Sequence, residues 1–231
     1  MNITVFHGSP RKGNTYRATR IFLDELLRCG DIQYTEFFLP EALPEFCTGC
    51  QLCLGSPSEV CPHSQYVLPI LNAIICSDAL IFSTPHSGAC SMTAGMKTLL
   101  DHLDFLTITV APRAELFSKK AFIITTGSGS TAAAKPIKSC LRNWGLNRVL
   151  SLGIRMFTDK WVKMSNEKQR KIKNRLQRAA HNFYNTPKRQ PYISTIFMYH
   201  IAKFILKKYV GEDAYPYKYW QEKGYFKKRP F

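Results

Sequence analysis

Two groups of residues in the first third of the chain have types and spacing suited to chemistry. The first is Gly8-Ser9-Pro10-Arg11-Lys12-Gly13-Asn14-Thr15. It combines short hydroxyl and amide donors, glycines that allow close backbone approach, and a guanidinium. Such a turn makes an anion site when it opens a helix, because the first helical N–H groups are unpaired and the helix dipole is positive there. Gly8-x4-Gly13-Asn14-Thr15 nearly matches a triphosphate-binding loop, but Asn14 stands where that loop places a lysine on the outer phosphates. The dinucleotide fingerprint G-x-G-x-x-G is absent. A single terminal phosphate is the better fit, with an ordinary polar turn capping a helix as the plain alternative.

The second group is Cys47-x2-Cys50-x2-Cys53-x7-Cys61-Pro62. Four thiolates this close together can surround one soft metal centre. The spacing is near the ferredoxin run C-x2-C-x2-C-x3-C-P, with a longer last spacer. Zinc with His63 as a spare ligand competes, as do four free thiols. The other cysteines, Cys29, Cys76, Cys90 and Cys140, are scattered and read as small buried apolar residues, with Cys90 near the proposed site.

The elements that must position these groups alternate along the chain. Residues 2–6, 31–39, 78–83, 121–126 and 148–154 read as strands, most of them apolar runs of the kind buried in a parallel sheet. Helical spacing appears over 16–28, 65–76, 92–106, 132–144 and 165–184. Five strands with intervening helices predict an α/β, doubly wound, five-stranded parallel sheet with right-handed crossovers. Ligands of such sheets sit beyond the carboxyl ends of the strands. Three loops rich in Gly, Ser and Thr reach that rim: 8–15, 84–91 and 126–131.

Composition bounds the rest. At 45% hydrophobic and 21% charged residues, the 231-residue chain is globular and long enough for one α/β unit with an appendage. Met1 leads directly into the first strand, which predicts no export leader and a reducing cytoplasm, where cysteines are thiols or metal ligands. No apolar run reaches membrane-spanning length. The net charge of +16 is concentrated late: residues 1–159 carry 14 Lys+Arg against 12 Asp+Glu, and residues 160–231 carry 18 against 4. Such a tail suits an acidic protein or an anionic surface. No helix-turn-helix or RNA-binding motif points to nucleic acid.

These motifs, in this order, resemble the flavodoxin-like NAD(P)H-dependent FMN reductases, particularly their iron–sulfur flavoprotein branch. The matching text is residues 8–15, Cys47-Thr48-Gly49-Cys50-Gln51-Leu52-Cys53, Thr84-Pro85, Met96-Lys97-Thr98-Leu99-Leu100-Asp101-His102 and Thr125-Thr126-Gly127-Ser128-Gly129. The resemblance implies that Ser9, Arg11, Asn14 and Thr15 hold the FMN phosphate. It also implies that Pro85, His86, Ser87 and Gly88 border the isoalloxazine ring, and that Thr126, Gly127, Ser128 and Gly129 approach its pyrimidine edge. It further implies that Cys47, Cys50, Cys53 and Cys61 ligate a [4Fe–4S] cluster passing electrons to FMN. The loop after Pro85 departs from the family's usual aromatic residue. No catalytic acid or base is expected, because flavin N5 itself accepts hydride. The implied activity is electron transfer from NAD(P)H to a small-molecule acceptor such as a flavin or quinone. An electron carrier docking on an acidic redox protein is the alternative.

Residues 1–185 form the expected flavodoxin-like unit, with the cysteine loop at 46–63, and residues 186–231 a basic, aromatic helical extension. Pro187 and Pro191 separate the two. In 192–209 an apolar face of Ile193, Ile196, Phe197, Ile201, Phe204 and Ile205 is expected to pack on its own domain or on a second subunit of a homodimer or larger assembly. Membrane-surface contact through Lys203, Lys207 and Lys208 ranks behind packing. The aromatic ending from Tyr215 is expected to drape over a neighbouring subunit's flavin site.

Overall fold

The computed structural model of the protein describes residues 1–57, 60–88, 91–158, 160–187 and 191–231. Strands β1 (Asn2–His7), β2 (Gln33–Phe38), β3 (Ala79–Pro85), β4 (Lys120–Thr126) and β5 (Arg148–Ile154) form one parallel sheet in the order β2-β1-β3-β4-β5. The order reverses between β1 and β3, which is the switch point of this doubly wound topology. Pairing Pro85 with Thr126, and Thr126 with Ile154, brings the carboxyl ends of three strands level at one rim.

Alternation along the strands sends side chains to two cores. Val5, Ile81 and Phe122 meet helix α1 (Asn14–Cys29) on one face. Phe6, Phe82 and Ile123 meet the helices of the other face. After the one-turn helices α2 (Leu39–Ala42) and α3 (Leu52–Gly55), that second face is built by α4 (Ser64–Cys76), α5 (Ala94–His102) and α6 (Ser130–Asn143). Helix α7 (Asn166–Tyr184) returns to the first face and buries Ile172, Leu176, Ala180 and Phe183 beside α1. Its cations point outward, which is the arrangement a 3.6-residue period dictates.

Polar contacts fasten α7. Glu25 of α1, almost buried, accepts from Gln177 Nε2 at 2.9 Å and bonds His181 Nε2 at 2.8 Å. The Gln177 hydrogen bond, followed by the one to His181, holds the Glu25 carboxyl below the usual carboxylate range despite its burial. Lys120 Nζ donates to the Phe183 and Tyr184 carbonyls at the end of α7, at 2.6 and 2.9 Å. At the other border of the sheet, the β2 carboxylate of Glu36 lies 2.9 Å from His7 Nε2 and 3.6 Å from Arg20, which donates to Tyr34. Burial pushes His7 below the ordinary imidazole value.

The extension forms α8 (Ile193–Tyr209) and α9 (Tyr215–Glu222) and packs on its own chain. Tyr199, Ala202, Leu206, Tyr219 and Trp220 join Ile108, Ala111 and Phe117 in a third cluster. Tyr199 stacks on Trp220 with centroids 5.4 Å apart, and Tyr219 donates to the Pro112 carbonyl at 3.0 Å. Two expectations are corrected here. Tyr219, Trp220 and Tyr225 are buried within their own chain, and α9 lies beside α3, so this part of the ending does not drape over a neighbour. The buried face of α8 is Thr195, Tyr199, Ala202 and Leu206, whereas Ile193, Phe197 and Phe204 are 87, 63 and 57% exposed. Apolar residues surround most of this helix, so hydrophobicity could not choose the face. Small Ala202 and flat Tyr199, which let α8 lie close against the aromatic cluster, did so.

Candidate functional site

The rim beyond β1, β3, β4 and β5 holds a cleft of about 300 Å³. Its lining unites Ser9, Arg11, Asn14 and Thr15 with Pro85, His86, Thr126 and Gly127. Ser87, Gly88, Ser128 and Gly129 lie in the same loops but outside the lining. Three lining residues were missed as site residues: Gly13, Met156 and Thr158. The last two follow β5, whose rim loop lacks the Gly/Ser/Thr richness that drew attention to the other three. The available signal was topological, since β5 ends at the same rim as β4.

Hydrogen bonds fix the cleft walls. Gly8 N–H donates to the Ser83 carbonyl at 2.7 Å, and Thr93 bonds both the Gly8 carbonyl and, at 3.1 Å, Thr84 Oγ1. A Cβ at Gly8 would stand 2.7 Å from Thr93 Oγ1, so only glycine fits this close approach. Thr15 Oγ1 and Thr126 Oγ1 share a 2.6 Å hydrogen bond that ties the first loop to the third. Asn14 Nδ2 donates to the Thr158 carbonyl at 2.9 Å, and His86 N–H donates to the Thr126 carbonyl at 2.7 Å. Thr15 and Asn14 therefore position the walls as well as line them.

The anion-binding character of the cleft is local to the start of α1. Gly13 is the N-cap, no side chain caps the helix, and the first turn holds no acidic residue. The lining includes no carboxylate, and Arg11 is exposed at its mouth. Uncapped first-turn amides beside a guanidinium are the groups that hold a phosphate. His86 supplies the opposite wall. Its Cβ lies against Gly127 and its ring against Gly129, where an added Cβ would come within 2.9 Å and 2.2 Å of them, and its buried Nε2 has no hydrogen-bond partner. Gly127 has φ +121°, a conformation that favours glycine. An open helix N-terminus beside a guanidinium and no carboxylate in the lining fit a phosphorylated ligand such as FMN.

The cysteine loop forms a separate, shallower cleft of about 280 Å³ lined by Cys47, Gly49, Gln51, Cys53, Leu54, Asp101 and Asp104. Burial raises the Cys53 thiol, and the neighbouring Cys61, Cys47 and Cys50 raise it further, so the four sulfurs share one neighbourhood. Among the described residues, no three His, Cys, Asp or Glu side chains close on a metal position. The donor set suits thiolate ligation, but the geometry is not pre-assembled for it. His63 Nδ1 lies 3.0 Å from His102 Nε2, whose other nitrogen bonds the Thr98 carbonyl. Of the scattered cysteines, Cys29 and Cys140 are half-buried, and burial pushes Cys140 up to about 12. Cys76 is exposed at the end of α4, contrary to expectation, and Cys90 lies outside the described residues.

A flavodoxin-order sheet with a phosphate-ready first loop defines a flavodoxin-like α/β protein, here with a C-terminal helical extension. The family model for NADPH-dependent FMN reductases matches residues 1–154, and the chain belongs to that family. It is an NAD(P)H-dependent oxidoreductase that uses FMN. No curated protein sequence matches. Solved structures share the fold at low identity. An NAD(P)H:quinone oxidoreductase from Methanothermobacter marburgensis has TM-score 0.63 and 16% identity, covering 80% of this chain and 98% of that one. An FMN-dependent NADH-azoreductase from Bacillus anthracis, in complex with FMN, has TM-score 0.61 and 9% identity, covering 80% and 100%. An NADH:FMN oxidoreductase in its apo form has TM-score 0.54 and 20% identity, covering 80% and 91%.

Proposed function

We propose that the rim cleft seats FMN and that the enzyme passes electrons from NAD(P)H to a small acceptor, a quinone or free flavin. The observation that carries this reading is the convergence of three loops on the uncapped start of α1. Ser9, Arg11, Asn14 and Thr15, with the first-turn amides, hold the phosphate. Pro85, His86, Ser87 and Gly88 border the ring, and Thr126, Gly127, Ser128 and Gly129 reach its pyrimidine edge. When bound, FMN supplies the hydride-accepting N5 and the stepwise release of electrons. The chain contributes position, electrostatics and exclusion of water. A quinone or flavin acceptor accords with the names of the neighbouring structures, which are those proteins' own activities.

Gly13→Asp tests the seat. A Cβ at Gly13 meets nothing within 4 Å, and Asp is a good N-cap, so the fold is retained or stabilised by about 0.5–1 kcal/mol. The new carboxylate occupies the phosphate position and repels it. Fluorescence titration should show FMN affinity falling at least about tenfold with unchanged or raised thermal stability. Unchanged affinity would refute the assignment.

For the second cleft we propose a [4Fe–4S] centre on Cys47, Cys50, Cys53 and Cys61, supported by the shared neighbourhood of the four thiols. Anaerobic purification should give iron and acid-labile sulfide in stoichiometric amounts. With such a centre, the basic extension would suit docking of an acidic redox protein. Eight cysteines, seven of them described as free thiols, suit a reducing cytoplasm. A homodimer or larger assembly is the proposed working form.

A further inference from the structure

Helix α8 has two apolar faces, and its own domain uses one. The outward row is Ile193, Phe197 and Phe204, and Tyr209 is exposed to the side of it at the helix end. From Ile193 to Phe204 this row runs about 17 Å along the helix. His200, Lys207 and Lys208 are exposed among these residues. Lys208 Nζ lies over the rings of both Phe204 and Tyr209, 5.4 Å from each centroid, so a cation sits directly on this exposed aromatic surface. No carboxylate occurs between Ile193 and Tyr209. Glu212 and Asp213 lie past the helix end, engaged by Tyr217 and Lys218.

A groove of about 380 Å³ separates α8 from α6 on the same flank. Lys135, Lys138 and Arg142 line it together with Ser194, and its lining contains no acid. The apolar row is therefore bordered by cationic ground along its flank and at its C-terminal end.

We propose that α8 is a membrane-surface helix, laying its outer face on an anionic lipid bilayer with phosphate headgroups received by Lys207, Lys208 and the α6–α8 groove. Charge selects this occupant. A second copy docking isologously would bring two such cationic surfaces together, with no carboxylate on the helix or in the groove to answer them. Lysine is depleted from protein–protein interfaces, whereas Lys beside Phe and Ile is the composition of helices that lie in the lipid interface. A bilayer also needs no complementary groove for a convex row of side chains. No helix among the described residues is long and apolar enough to cross a membrane, so the contact is peripheral.

Co-sedimentation of the full-length protein with phosphatidylcholine vesicles, with and without phosphatidylglycerol, tests this. The anionic vesicles should bind at least about tenfold more strongly. Lys207→Glu with Lys208→Glu should weaken that binding by more than about tenfold, at roughly fivefold or more per charge. Phe197→Ser with Phe204→Ser should abolish the part of the binding that survives about 0.5 M salt, where exposed charges are screened. All four side chains are exposed, so thermal stability and FMN content should not change. Absence of binding to anionic vesicles, or binding indifferent to the Phe197/Phe204 variant, overturns the proposal. So does a lipid-free dimer, measured by sedimentation, that the same variant dissociates.

Discussion

Helices α7 and α8 follow one another in the chain, and both are rich in lysine, yet they are held in opposite ways. Helix α7 is polar outside and apolar inside, and polar contacts lock both its ends: Ser165 caps its start, Lys120 its last carbonyls, and Glu25 clasps Gln177 and His181. No side chain caps the start of α8, which is held by shape, through the Tyr199–Trp220 stack and Ala202. Ile193, Phe197 and Phe204 on its outer side stay in solvent. A helix secured by charge has one permitted orientation, whereas one secured by aromatic packing leaves its other face available.

The contrast can be broken most severely at Trp220, which is fully buried. Trp220→Ala should cost about 3–5 kcal/mol in the extension, read as an early transition in chemical denaturation by tryptophan-independent circular dichroism. If the extension and sheet unfold together without loss, the aromatic cluster is not what holds α8. A smaller effect is expected for Glu25→Gln, about 1–2 kcal/mol, because a charged acceptor becomes neutral between α1 and α7. The sign with pH follows from the lowered Glu25 value. The carboxylate's contribution is complete above the ordinary carboxylate range and disappears as pH falls through the depressed folded-state value. The difference between wild type and variant should therefore shrink in acid, and a constant difference would assign it to packing. The smallest effect belongs to Phe204→Ser, within about 0.5 kcal/mol, since little burial is lost.

The same contrast explains which parts were legible in the sequence. The strands of Ala79–Pro85 and Arg148–Ile154 announced themselves as short apolar runs, and α7 through Ile172, Leu176, Ala180 and Phe183 at helical spacing. Gly8 to Thr15 declared a turn into a helix, and the structure sets Ser9, Arg11, Asn14 and Thr15 beside His86, Thr126 and Gly127. Met156 and Thr158 carried no local signal, because nothing in Arg155-Met156-Phe157-Thr158 marks a ligand loop and only the rim that β5 shares with β4 pointed to them. The face of α8 was illegible for a different reason. Period identifies a buried face only when the other face is polar, and here steric fit against Phe117 and Trp220 decided.

The Glu36–His7–Arg20 cluster has a consequence for how the molecule behaves when concentrated. β2 ends the sheet, and the outer edge of a terminal strand is a template onto which another chain's backbone can add. Any strand docking there would have to cover a carboxylate already shared between an imidazole and a guanidinium. Stripping water from that ionic group opposes fibrous stacking, so the cluster guards colloidal solubility at the sheet's open border.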